Sequence, residues 1–181
     1  AKDYTVSGET FDIWQCDFCT LRFTQDIPDE DEIVPYYQSD AYISHSGTRA
    51  GIVNKMYHLV RSLALQRKKK LVIKVSGLAR GNILDIGAGT GSFLHTMQDH
   101  GWEVKGIEPD EKARQNALSE YGLILDPKDN IDELLENSFD VITMWHVLEH
   151  VHALNKYVSR IYELLKPEGV LLVAVPNYTS A

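Results

Sequence analysis

The chain has 181 residues, of which 44% are hydrophobic and 24% charged, and it contains 12 Gly and 6 Pro. This composition is typical of an ordinary globular domain and excludes disordered, collagen-like and disulfide-scaffold classes. No apolar run approaches the roughly 20 residues that span a bilayer, and the N-terminal residues have no signal-peptide pattern. We therefore expect a cytoplasmic protein without a membrane partner.

The net charge of -8 is unevenly distributed. Nine of the 18 Lys and Arg residues lie between residues 41 and 84, a range without any Asp or Glu. A nucleic-acid surface is one interpretation of such a stripe. We favour a solvated basic helix face on an acidic body, because no set of interleaved aromatic residues accompanies the stripe. No nucleic-acid partner is expected.

The hydrophobic periodicity divides the chain into two regions. Residues 1–47 are rich in aromatic and acidic groups, and residues 48 to about 74 are predicted to form one long helix. The apolar face of that helix should pack against a sheet through Ile52, Met56, Leu59, Val60 and Leu63. From residue 82 onward, short apolar runs alternate with amphipathic stretches, which is a βαβ pattern.

The predicted strands are residues 82–86, 103–108, 123–125, 139–145 and 170–175, and the predicted helices are residues 91–100, 110–121, 129–136 and 153–165, with a turn at 166–169. These elements predict an α/β fold with a Rossmann-like, doubly wound, mostly parallel sheet of five strands. The expected domains are a lead-in region, residues 1–47, and a ligand-binding core, residues 48–181.

A glycine-rich turn joins the first predicted strand of the core to its helix. Asp85 precedes Gly87, Gly89 and Gly91, at the place where an open α/β sheet binds its ligand. Glu108 ends the next strand, where an acidic side chain can accept hydrogen bonds from two ribose hydroxyls. A dinucleotide site has its third glycine three positions after the second, which is Ser92 here. The glycine spacing therefore favours another nucleoside cofactor over NAD.

The turn and Glu108, together with Phe139-Asp140-Val141-Ile142 and the segment from Leu165 to Gly169, resemble the class I S-adenosylmethionine-dependent methyltransferase family. The resemblance spans residues 82–176 and implies S-adenosylmethionine as the cofactor. It places Asp85 and the backbone of Gly87, Gly89 and Gly91 beside the methionine part of the cofactor. It also assigns Glu108 to the ribose and Asp126 to the adenine.

The segment after the strand at 139–145 is similar to the loop that lies beneath the sulfonium in this family. The resemblance makes His146 a cofactor neighbour, and a histidine there could act as general base toward an acceptor hydroxyl. Packing against the cofactor alone is the alternative. His146, Glu149 and His150 also have a helical spacing that suits a metal, but a helix cap is favoured and no metal is expected.

Two features of the lead-in region resemble a methyltransferase subgroup. Cys16 and Cys19 look like one knuckle of a zinc ribbon, although four ligands are needed and only two thiols exist. Two free cysteines are therefore favoured for this chain. Tyr36 and Tyr42 lie in an aromatic segment that folds over the cofactor in the subgroup, and packing under the long helix is the alternative.

The family's sheets normally have seven strands, so we expect a core that is incomplete at its C-terminus. An open sheet edge would then be available for a homodimer. The expected function is direct, in-line transfer of the methyl group of S-adenosylmethionine to a small-molecule acceptor. The alternative is a truncated or inactive cofactor-binding module that serves as an interaction domain.

Overall fold

The computed structural model describes residues 1–4, 7–29 and 52–177, except for the side chains of residues 52–58 and 129. The chain divides into two compact units, residues 1–55 and 56–181. In the first unit, strand β1 (Ile13–Gln15) pairs antiparallel with strand β2 (Arg22–Thr24). This short hairpin carries Cys16 and Cys19 in the connection between its strands.

The long helix α1 (Ile52–Ser76) begins in the last residues of the first unit, and most of it belongs to the second. The further elements of the second unit are β3 (Asn82–Ile86), α2 (Ser92–Gln98), β4 (Glu103–Ile107), α3 (Glu111–Tyr121), β5 (Phe139–Trp145), α4 (Leu154–Leu164) and β6 (Leu165–Ala174). Two 3₁₀ turns span Lys128–Glu133 and Leu148–His150.

Strands β3 to β6 form one parallel sheet in the order β4-β3-β5-β6. Successive side chains of a strand point to opposite faces, so Ile83 packs with Phe93 of α2, while Leu84 packs with Ile161 of α4. Helices therefore cover both faces, and the predicted Rossmann-like α/β class is confirmed. The central strand β3 has β4 on one side and β5 on the other, so the strand order reverses direction at β3. In open α/β sheets a crevice lies at the carboxyl ends of the strands where this reversal occurs.

The described sheet has four strands, so the prediction of a strand at residues 123–125 is wrong. Leu123 and Leu125 are buried in the core, but the segment meets β4 only through an isolated bridge between Ile107 and Asp126. Pro127 follows at once and has no N–H group with which to continue a ladder. The helix predicted at 129–136 is likewise only the 3₁₀ turn Lys128–Glu133.

The turn predicted at residues 166–169 is also wrong, because these residues belong to β6. Leu165 pairs with Phe139 and Val170 pairs with Val141, so β6 has three more residues than β5 between these pairs. The irregularity takes up the extra residues without ending the strand. As a result, β6 begins directly after α4 and forms one edge of the described sheet.

Helix α1 packs through a different face from the predicted one. Leu59, Val60 and Leu63 are each more than half exposed, whereas Leu65 and Val72 pack against the core in the C-terminal part of the helix. The sheet is thus reached by the last turns of α1, where most of the basic residues lie. No helix in the described ranges is long and apolar enough to cross a membrane.

Asp140 links the first residues of three neighbouring strands. Its carboxylate accepts hydrogen bonds from the backbone N–H of Asn82, at 2.7 Å, and from Nζ of Lys166, at 2.8 Å. Partial burial raises the pKa of Asp140, but the hydrogen bonds from Asn82 and Lys166 outweigh it and hold the pKa below its usual value.

We expect Asp140→Ala to lower the free energy of unfolding by about 1.5–3 kcal/mol, the usual range for hydrogen bonds to a charged group. A carboxyl group whose pKa is lower in the folded than in the unfolded state stabilises the protein at pH values above its unfolded pKa of about 4. This stabilisation is lost as pH falls through the folded pKa. The difference between wild type and variant should therefore shrink in acid. Urea unfolding at neutral and acidic pH measures this difference, and Glu120→Ala, at an exposed position, is the control. Equal stability of Asp140→Ala and wild type at neutral pH would contradict the expected role of Asp140.

Candidate functional site

The glycine-rich loop lies at the carboxyl end of β3, where it is bound to β4. The N–H groups of Gly87 and Ala88 donate to the carbonyl oxygen of Ile107, at 2.8 and 3.0 Å. Gly87 and Gly89 have φ angles of 72° and 54°, a left-handed conformation that favours glycine. A Cβ atom on Gly87 would lie 2.3 Å from Val147, while one on Gly89 would meet nothing within 4 Å. The loop is therefore closed on one side and open at Gly89.

Glu108 follows β4 and is only 8% exposed. Its Oε2 accepts a hydrogen bond from the N–H of Gly89, at 2.7 Å, and its Oε1 accepts one from Asp110, at 3.0 Å. Burial raises the pKa of Glu108, and these two N–H groups oppose the rise. The carboxylate thus lies between the open part of the glycine loop and the start of α3.

Asp85 of β3 lies beneath the loop and is 2% exposed. The hydroxyl of Thr143 donates to its Oδ1 at 2.6 Å. Burial raises the pKa of Asp85 to about 7, against the opposing effects of Thr143 and the Lys68 ammonium, and the nearby charge of Glu108 adds to the rise. Asp85 is consequently balanced between its neutral and charged forms near neutral pH.

Lys68 of α1 supplies a cation to the same site. Its Nζ lies 4.5 Å from the ring centre of Trp145 and 5.9 Å from that of Phe93. Burial lowers the pKa of Lys68, whereas the charge of Asp85 favours the ammonium form. Lys68 was not among the predicted site residues, because the basic stripe was interpreted as solvated. Positions 61, 65, 68 and 72 share one helix face, and the structure identifies it as the buried one through Val72; no sequence signal distinguished it from the face that carries Leu59 and Leu63.

His146 directly follows β5 and has a φ angle of 61°, which is uncommon for a residue other than glycine. Its backbone N–H donates to Ala174, at 2.8 Å. Its side chain is 65% exposed, with Nδ1 3.6 Å from Oε1 of Glu149. Strained backbone of this kind is concentrated at functional sites. The exposed imidazole is accessible to a proton donor, and its proposed role remains a prediction.

The remaining predicted site residues are Asp126, Tyr36 and Tyr42, of which the structure describes Asp126. The carboxylate of Asp126 is paired with Nζ of Lys105 at 2.5 Å, while its carbonyl oxygen accepts from the N–H of Glu108. Its proposed contact with adenine remains a prediction. Tyr36 and Tyr42 lie outside the described residues.

In the hairpin of the first unit, the N–H groups of Cys19 and Phe18 lower the pKa of the Cys16 thiol. Thr20 then adopts a φ angle of 62° and its N–H donates to the carbonyl oxygen of Cys16. This turn favours a thiolate at Cys16. Within the described ranges, no cluster of three or more His, Cys, Asp or Glu side chains could hold a metal.

Residues 57–181 match a family described as a methyltransferase domain. A ubiquinone biosynthesis O-methyltransferase of Actinobacillus pleuropneumoniae serotype 5b is 35% identical over 137 residues, covering 69% of this chain and 57% of that protein. One of Pasteurella multocida is 34% identical over 123 residues, covering 59% and 50%. The chain thus spans about half the length of the curated relatives it matches.

Similarity to solved structures supports the same fold. An S-adenosylmethionine-dependent methyltransferase from Archaeoglobus fulgidus superimposes with a TM-score of 0.55 at 23% identity, covering 66% of this chain and 55% of that one. At this identity the likeness shows the fold alone.

We expect the purified chain to carry no stoichiometric zinc, because two thiolates supply only half of a tetrahedral site. Elemental analysis of metal-replete protein measures the content, with Cys16→Ser as the matched control. About one zinc per chain, lost in Cys16→Ser, would show that Cys16 and Cys19 find two further ligands.

Proposed function

Because the chain belongs to the class I S-adenosylmethionine-dependent methyltransferases, we propose that it transfers a methyl group from S-adenosylmethionine to a small-molecule acceptor. The cofactor supplies a methyl group already activated on a sulfonium, so the protein has mainly to align the reactants and exclude water. The observation that carries the proposal is the carboxylate of Glu108 beside the open, left-handed Gly89.

Glu108 has the capacity to hold a ribose. Each carboxylate oxygen offers about two lone-pair sites, and the hydrogen bonds from the N–H groups of Gly89 and Asp110 occupy one on each oxygen. The remaining sites can accept from two neighbouring hydroxyls. The same hydrogen bonds fix the carboxylate before any ligand binds, which reduces the conformational entropy that is lost on binding.

Asp85 and Lys68 together fit a zwitterionic amino-acid group. An ammonium beside Asp85 would favour its charged form and relieve the cost of burying it. A carboxylate beside Lys68 would do the same for the half-buried ammonium. The opposite charges of the two side chains therefore complement the two ends of the methionine part of the cofactor.

His146 is the proposed general base. Histidine has an ordinary pKa near neutral pH, so its neutral form can accept a proton from an acceptor hydroxyl. The carboxylate of Glu149, 3.6 Å from Nδ1, can stabilise the imidazolium that results. An oxygen acceptor agrees with the O-methyltransferase activity for which the relatives are named. A cofactor-binding module without turnover is the alternative.

Binding of S-adenosylhomocysteine is the first test of the proposal. We expect calorimetric titration to show binding of S-adenosylhomocysteine and none of NAD. Glu108→Gln should weaken this binding roughly 10- to 100-fold, because it removes hydrogen bonds to a charged group. Glu103→Gln, on the exposed opposite end of β4, is the matched control. Equal affinity of Glu108→Gln and wild type would remove Glu108 from the site, and NAD binding would overturn the proposal.

Replacement of His146 separates base catalysis from packing. With a simple catechol as the probe acceptor, we expect His146→Asn to lower kcat by about 100-fold or more while S-adenosylhomocysteine affinity stays within about threefold. Formation of S-adenosylhomocysteine measures the rate, and His152→Asn is the control. Unchanged kcat would leave His146 a packing residue, and turnover by neither protein would favour the binding-module alternative.

A further inference from the structure

A second cavity of about 210 Å³ lies beside the glycine-rich loop, among α1, α2 and the end of α3. Its polar lining consists of Arg61, Ser62, Gln66, Ser92, His95, Thr96 and Tyr121. Asp85, Gly89 and Glu108 do not line it, so it is distinct from the crevice assigned above to the cofactor. None of the described residues that line it is acidic.

Arg61 gives this cavity a positive charge that the described chain does not neutralise. Its Nη2 donates to the hydroxyl of Thr90, at 3.2 Å, and to the hydroxyl of Ser92. No carboxylate of the described ranges forms an ion pair with it, and neither Nε nor Nη1 bonds to a described residue. A guanidinium has five donors, so toward the described residues a side that could bind an anion through two parallel bonds remains uncommitted.

The remaining lining adds neutral polar groups around this cation. The hydroxyls of Thr90 and Ser92 lie 3.0 Å apart, and that of Tyr121 lies 3.4 Å from Ser92. The ring of His95 stacks on Tyr121, with ring centres 4.6 Å apart. Among the described acidic residues, the exposed Asp99 contacts this lining, with its Oδ2 3.6 Å from Nε2 of His95. One fixed cation among hydroxyls is the donor set that oxyanions prefer.

We propose that this Arg61 pocket binds an oxyanion, a carboxylate or phosphate group of a small molecule, at a site separate from the cofactor. The volume is below the roughly 300 Å³ at which drug-sized ligands begin to fit, so the pocket takes a small anion or one anionic group. Since Arg61 also contacts Thr90 and Ser92 on either side of Gly91, an anion held by Arg61 is linked through this side chain to the loop that carries Gly89.

Titration with inorganic phosphate and with acetate at constant ionic strength tests the proposal. Chemical shifts of backbone amides at residues 90–96 and 121 report binding, with and without saturating S-adenosylhomocysteine. We expect at least one anion to bind in both conditions, tenfold or more weakly in Arg61→Gln, and as in wild type in Arg67→Gln, an exposed site on the same helix. The preference between phosphate and acetate identifies the anionic group.

Tyr121→Phe removes one hydroxyl of the lining and leaves the contacts of Arg61 with Thr90 and Ser92 in place. This variant should weaken anion binding about threefold or more. Binding that is absent, equal in wild type and Arg61→Gln, or abolished by S-adenosylhomocysteine would overturn the proposal. In the last case the anion site would be part of the cofactor crevice. The phosphate and acetate arms need no cofactor, so failure of the proposed function leaves them intact.

Discussion

The burial of one carboxyl group, that of Asp85, determines how the rest of the site is arranged. It lies on the central strand β3, almost without contact with solvent, and its described hydrogen bond comes from a neutral hydroxyl, that of Thr143. A charged carboxylate in such a place is costly unless a positive charge balances it. This is why burial raises its pKa to about 7, and why a cationic ligand would change its state.

The neighbouring groups act on this carboxyl in opposite directions. Lys68 is drawn into the core face of α1 by Leu65 and Val72, and its charge favours ionised Asp85. Glu108 has the same sign as Asp85 and disfavours ionisation, yet the N–H groups of Gly89 and Asp110 hold it in place. A ligand with an ammonium at one end and hydroxyls at the other would satisfy both carboxyl groups at once. The arrangement is thus complementary to a nucleoside with an amino-acid tail.

The sequence predicted this site where local chemistry determines structure. Gly87, Gly89 and Gly91 all have left-handed φ angles, and Glu108 lies against the loop, as its place at the end of the next strand indicated. Long-range packing was harder to predict. Leu123 and Leu125 are apolar like strand residues, but they fill the core instead of pairing. The roles of Lys68 and Arg61 were not predicted, because both lie in the basic stripe and only the tertiary position of Val72 shows which face of α1 is buried.

The protonation of Asp85 on ligand binding tests this account most directly. Calorimetry of S-adenosylhomocysteine binding in buffers of different ionisation enthalpy gives the number of protons exchanged. A raised pKa that falls when an ammonium binds predicts release of close to one proton at about pH 6.5 and little at about pH 8. Asp85→Asn should abolish the release, whereas Glu103→Gln, on the exposed end of β4, should retain it. Proton release that is absent in wild type, or unchanged in Asp85→Asn, would contradict the central role of Asp85.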